Sequence, residues 1–269
     1  MAITRKERTP SQLRATMVLT LLIIGSKLLG FVRNASMLSV FGRGLEMDAY
    51  TNANTLLSLF TLLFSAGVSS TFIPIYTEEK MRHGLLSANR YANNIVNFYG
   101  LVGVVFTVIG MFAFGNQSFL QLFFPERVAV ATAPLARILM SSLAITAIWQ
   151  VLLNVLNANH CFVPETFQGY ILSVCVIATC VATGDMRAVA MATAFAPLLQ
   201  LLSILPFLKG RFFYRPKIFF KDPHFKRTFL LAIPALVSMA FDEVNNMADT
   251  VFTGMMADGS KTTLNNCYT

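Results

Sequence analysis

The sequence predicts an all-α fold, a polytopic membrane helix bundle of about seven transmembrane helices. Two bulk properties and one recurring pattern lead there. Hydrophobic residues make up 55% of the 269 and charged residues only 13%, about half the share usual in a soluble domain. The mean hydropathy is +0.60. Apolar stretches long enough to cross a bilayer core of ~30 Å, which takes about 20 helical residues, recur along the whole chain.

Those stretches are 13–41, 48–76, 92–115, 128–157, 166–184, 187–208 and 228–257. The first follows a basic N-terminus and continues past the length of a signal peptide's apolar region, so it reads as a retained signal-anchor helix. Gly25, Ser26, Lys27 and Gly30 interrupt it, and a break or bend is expected there. The first, second, fourth and seventh exceed a minimal span, which predicts tilt, kinks or extension into water.

Lys and Arg in the loops set the orientation. With the N-terminus in the cytoplasm, fourteen of the 21 basic residues fall inside, in the N-terminal segment, near 80–90 and across 209–227. Only Arg43, Arg127, Arg187 and Lys261 fall outside. The stretch RFFYRPKIFFKDPHFKR at 211–227 alternates aromatics with bases and suits the headgroup level. The net charge of +8 is therefore assigned to loops facing anionic lipid, and nucleic acid is discounted as a partner.

Cys161, Cys175, Cys180 and Cys267 form no CxxC pair, and His83, His160 and His224 are far apart, so no metal site is expected from them. No GxSxG, P-loop, GxGxxG or HExxH pattern points to an enzyme. Without a nucleotide-binding motif, transport would draw on an ion gradient or the membrane potential.

The informative residues are charges inside apolar spans, where each costs about 2.5–3.5 kcal/mol at mid-membrane on insertion scales. Lys27 and Arg33 lie in the first span, Asp48 opens the second, Arg137 lies in the fourth, and Asp242, Glu243 and Asp249 lie in the seventh. Lys27 and Arg33 are six residues apart, about a third of a turn out of line and ~9 Å along a helix, too close to snorkel to opposite surfaces. A shared polar cavity is the expectation, with Asp48 near its outer end. Asp242, Asn245, Asn246 and Asp249 form one polar stripe, and their oxygens suit a hard cation or a proton relay.

Several runs carry a resemblance. SKLLGFVRNASMLSVFG, MDAYTNAN and SAGVSSTFIPIYTEEK, then LLNVLNANHCFVPETFQ and IPALVSMAFDEVNNMADTVFTGMMADGS, occur in that order across the chain. Together they resemble the MurJ/MviN lipid II flippases, part of a superfamily that includes multidrug antiporters and polysaccharide exporters. The resemblance implies flipping of a lipid-linked peptidoglycan precursor across the cytoplasmic membrane by alternating access. It implies that Lys27 and Arg33 face the precursor's pyrophosphate, with Asp48 as a third substrate-site residue. Asp249, with Asn245 and Asn246, would contribute to a sodium site; no other cofactor or metal is expected.

The resemblance also implies a two-lobed architecture. Residues 1–12 would be a cytoplasmic N-terminus, 13–208 a six-helix lobe, 209–227 a basic interfacial linker, and 228–269 the first helix of a truncated second lobe. The family's sequence continues beyond the point matched by LNNCYT. A missing C-terminal lobe, or a second copy, would then be needed for a complete cavity, and the isolated chain is expected neither to bind sodium nor to flip lipid. Departures from the family pattern are Lys27 for a more usual Arg, Asn34 for an acid, and no Arg in the second span. Exporters of another lipid-linked oligosaccharide, a drug antiporter and an inactive remnant are the competing readings.

Overall fold

The computed structural model describes residues 10–216 and, beyond them, individual positions between 227 and 262. The side chains of residues 10–16 and 63–69 are not described. Within residues 10–216 the helices are α1 (Pro10–Phe41), α2 (Leu45–Ala113), the single turn α3 (Gln117–Leu120), α4 (Glu126–Met140), α5 (Leu143–Ala158), α6 (Val163–Thr183) and α7 (Met186–Leu208). No strand occurs among the described residues. Four of these helical stretches are long and apolar enough to cross a membrane, or five when α4 and α5 count as one bent span. The chain is a polytopic helical membrane bundle.

The ends of the helices follow from local chemistry. Pro125 precedes α4, and Glu126 places a carboxylate in its positive first turn. Asp185 caps α7 by accepting from Arg187 N at 3.0 Å. α6 stops at Gly184, whose φ of 59° lies in the left-handed region that glycine adopts freely.

Three expectations change. α1 runs without a break through Gly25 to Gly30. The expected loop between the second and third spans is helical, so both belong to α2, which breaks only at Gly84 with φ 81° and ψ 178°. Charged residues there end the apolar run without ending the helix, and an i,i+4 contact between Glu78 and Arg82 at 3.2 Å supports it. The expected fourth span is two helices, α4 and α5, meeting at 45°. At the joint Ser141 Oγ and Ser142 Oγ each donate to a carbonyl one turn back, a pattern that bends helices. The seventh span lies largely outside the described residues, though every described position from 227 to 253 is helical.

The core lies where α2 packs on α4 and α5. Backbones approach closely there: a Cβ on Gly103 would sit 2.9 Å from both Ala144 Cα and Ala147 Cβ. Phe72 stacks on Tyr76 and on Tyr91, with ring centroids 5.5 and 5.3 Å apart. α7 joins this block to the pair α1 and α6. α1 and α6 run parallel, since Leu22 O accepts from Tyr170 Oη at 2.7 Å and Ser36 O lies opposite Cys180 Sγ.

That topology gathers the basic segments at one end. Asn93 Nδ2 donates to Phe213 O at 2.7 Å and Asn97 Nδ2 to Arg215 O at 2.8 Å, holding the stretch after α7 against α2. Arg227 Nη1 meets Glu78 Oε2 at 3.1 Å, and Lys80 Nζ donates to Asn159 Oδ1 at 2.6 Å. The start of α1, the α2 break, the end of α5 and the exit from α7 therefore share one face of the bundle.

Candidate substrate groove

Between α1 and α6 lies a groove of about 850 Å³, with Gln200 of α7 also in its lining. Lys27 and Arg33 both line it, although they are a third of a turn out of line. No bend is needed for this. The groove is wide enough to take both faces, and Gly30 between them leaves its wall open, with nothing within 4 Å of an added Cβ.

α1 is held to α6 by small residues. A Cβ on Gly169 would fall 2.1 Å from Ser26 Oγ, and one on Gly25 would fall 2.2 Å from Tyr170 Oη. Such contacts are how helices associate in lipid, where apolar surface alone gives no drive. The sequence SK followed by LLGFVRN thus alternates a packing role with a groove role along one helix.

Within the groove, Arg33 donates from Nε and Nη2 to Asn34 Oδ1 at 3.4 and 3.3 Å. The amide orients the guanidinium and leaves the local net charge positive, whereas a carboxylate at 34 would offset it. Glu165 is the one carboxylate among the described lining residues, and its Oε2 accepts from Asn157 Nδ2 at 3.1 Å. Gln200 Nε2 is turned to Gln168 O at 3.0 Å. Two cations against one carboxylate, with neutral amides and hydroxyls between, suit an anionic, polyhydroxylated ligand head.

The other expected site residues lie elsewhere. Asp48 does not line the groove; it is buried at the start of α2, where Oδ1 accepts from Thr262 N at 2.9 Å and Thr262 Oγ1 at 2.6 Å. Asn245 is exposed and Asp249 half-buried, while Asn246, Asp242 and Glu243 lie outside the described residues. Among the described residues no cluster of three His, Cys, Asp or Glu could hold a metal. Arg137 lies in the last turn of α4, exposed beside Gly115. Glu165, Gln168 and Gln200 were not legible as groove residues in the sequence. Each stands at a span edge or singly within one, and only the pairing of α1 with α6 and α7 brings them together.

The family model for the lipid II flippase MurJ matches residues 37–268. The chain belongs to the MurJ family. A probable lipid II flippase MurJ of Rhizobium meliloti is 26% identical over 251 residues, covering 84% of this chain and 45% of that protein. One from Thermotoga maritima is also 26% identical, covering 93% and 51%. Among solved structures, lipid II flippase MurJ in an inward closed conformation superposes with a TM-score of 0.73 at 19% identity, covering 91% of this chain and 52% of that one. An outward-facing multidrug resistance MATE family transporter gives 0.67 at 15% identity, covering 82% and 51%. The MurJ fold is thus shared with drug transporters. The chain spans about half the length of the curated relatives it matches.

Proposed function

We propose that this chain forms one wall of a translocation path for a lipid-linked peptidoglycan precursor, and that Lys27 and Arg33 hold the precursor's pyrophosphate. The observation that carries this reading is the placement of two intramembrane cations on one groove wall. A diphosphate crossing the bilayer needs its charge supported throughout, and the half-buried guanidinium of Arg33 supplies paired donors for phosphate oxygens. Two cations facing one carboxylate disfavour a cationic drug, which the MATE-like fold alone would allow.

Transport by alternating access then requires an opposing wall that closes on the same groove, driven by an ion gradient or the membrane potential. In this reading a second lobe, or a second copy, supplies it. Asp249 with Asn245 and Asn246 would give a sodium ion only part of the oxygen set a hard cation takes, the remainder coming from that second wall. Asp48, clasping Thr262, would act at the closed outer end and not on the pyrophosphate.

The orientation belongs to the same proposal. The N-terminus and the basic face face the cytoplasm, in keeping with the distribution of Lys and Arg. Impermeant thiol reagents added outside should miss single cysteines placed at 82 and 217 and reach one at 187. Labelling of 217 from outside would reverse the orientation.

The groove itself is tested with a photoreactive lipid-linked precursor on the purified full chain in nanodiscs. Crosslinks should map to α1 and α6. In a Lys27→Ala/Arg33→Ala variant of unchanged melting temperature they should fall at least tenfold, each lost charged hydrogen bond costing about 1.5–3 kcal/mol. Equal labelling of the variant would remove both cations from the substrate site.

A further inference from the structure

A second pocket, of about 720 Å³, lies on the basic face and shares no described lining residue with the α1–α6 groove. It is lined by Arg90, Asn89, Asn93 and Ser87 of α2 and by Phe213 and Arg215 after α7. No carboxylate is among its described lining residues. From its geometry we propose that it holds the phosphate of an anionic phospholipid headgroup in the cytoplasmic leaflet.

Asn89 points to a ligand. It is only 4% exposed, yet both Nδ2 and Oδ1 are buried without a hydrogen-bond partner. An unsatisfied buried amide costs about 1–3 kcal/mol per group, a cost that a ligand bonded to it would remove. A turn of this side chain toward the pocket would let Nδ2 donate to a phosphate oxygen and Oδ1 accept from a headgroup hydroxyl.

The two arginines are set around that amide by the fold. Arg90 follows Asn89 on the α2 limb beyond the Gly84 break. Arg215 is fixed from the other side, because its backbone N donates to Asn93 Oδ1 while Asn97 Nδ2 donates to its carbonyl. Asparagines one turn apart on α2 thus build the second wall of the pocket from a segment with no helix of its own. Two guanidinium groups flanking an amide match a phosphodiester, whose oxygens accept paired N–H donors. Nearby Glu79 does not line the pocket, and its Oε2 accepts from Ser87 Oγ at 2.7 Å.

A lipid is favoured over free phosphate by the rim. Leu86 is 78% and Phe213 55% exposed, so apolar side chains flank the basic pocket as acyl chains flank a headgroup. Basic pockets between helices on the cytoplasmic side recognise anionic headgroups in this way. Occupancy would tie the segment leaving α7 to α2, so the lipid acts as a third partner at that junction.

The test is native mass spectrometry of the full chain with phosphatidylglycerol, phosphatidylcholine or inorganic phosphate as the added probe. Phosphatidylglycerol should be retained at least tenfold more strongly than phosphatidylcholine. Arg90→Ala/Arg215→Ala should weaken it at least tenfold, and Asn89→Leu several-fold, while Arg187→Ala at the opposite face leaves it unchanged. Asn89→Leu serves as the second variant, since it keeps both charges and the bulk. Phosphatidylglycerol retention that the pocket variants do not alter would overturn the site. Displacement of the lipid by millimolar inorganic phosphate would overturn the lipid assignment and leave a free-anion site.

Discussion

The two sides of the bundle solve opposite problems with similar residues. Where α2 meets α4 and α5, glycines and alanines let backbones touch, and polar side chains are sealed in: Asn52, Asn154 and Thr132 are all at most 2% exposed. Where α1 meets α6, Gly25 and Gly169 also permit contact, but only over one stripe. The rest of α1 is left open, with Leu21, Leu28 and Phe31 each more than 60% exposed and Lys27 and Arg33 along the groove. The first interface is built to stay fixed. The second is built to hold a helix while leaving its charges available. Small residues alone do not distinguish a structural seam from a substrate wall; what stands beside them does.

The largest expected effect is on the closed side. Gly103→Leu places its Cβ 2.9 Å from the Ala144 backbone, which cannot swing away as a side-chain tip can. Overpacking of this kind costs about 3 kcal/mol, and loss of the close helix approach adds to it. The variant should melt about 6–12 °C lower in detergent, since Tm shifts by about 2–4 °C per kcal/mol in a chain of this size. Gly30→Ala, on the open side, should melt no lower than the parent. A matching loss at Gly30 would break the comparison.

Most of the helical plan was legible because hydropathy reads membrane depth. Expected spans at 166–184 and 187–208 meet α6 and α7 within a few residues. The same property explains the misses. Around Glu78 to Arg90 the apolar run stops but the chain is helical on both sides of the Gly84 break, and hydropathy is silent about a helix in water. At Ser141 and Ser142 the apolar run continues while hydroxyl back-bonding turns the axis. In the groove, Lys27 and Arg33 stood out because a charge in an apolar span is costly. Glu165 and Gln200 did not, since a polar residue at a helix start or alone in a span has many ordinary explanations. Only their tertiary neighbours give them a role.

Arg33→Ala alone should separate ligand binding from folding. The described hydrogen bonds of its guanidinium go to the adjacent Asn34, so its removal breaks no bond between helices. Precursor photolabelling should fall about tenfold, worth about 1.4 kcal/mol, with Tm within 2 °C of the parent. A fall in Tm with labelling intact would move Arg33 from the substrate wall to the packing seam.

Gly25→Ala probes the seam from the open side and should do less to stability than Gly103→Leu. Its Cβ would meet the Tyr170 hydroxyl, the free end of a side chain that can rotate. Rotation breaks the 2.7 Å bond from Tyr170 Oη to Leu22 O, worth about 1 kcal/mol. Tyr170→Phe removes the same bond without the clash. In the Gly25→Ala/Tyr170→Phe pair the two losses should therefore not add, which a double-mutant cycle on Tm reads directly. Full additivity would mean that the seam does not depend on this contact.

The smallest expected effect is Lys27→Arg. An ammonium is a compact, strongly hydrated point charge, whereas a guanidinium offers a planar fork that matches two phosphate oxygens at once. Lys27 is exposed in the groove, so the longer side chain has room and no packing is disturbed. Charge is unchanged, and the gain is confined to geometry. Affinity for a pyrophosphate-bearing lipid should rise two- to five-fold, less than 1 kcal/mol, with Tm unaltered. Affinity for a lipid carrying a single neutral sugar and no phosphate should stay where it was. If both ligands gained equally, position 27 would be reading bulk or charge at the groove and not the paired oxygens of a diphosphate.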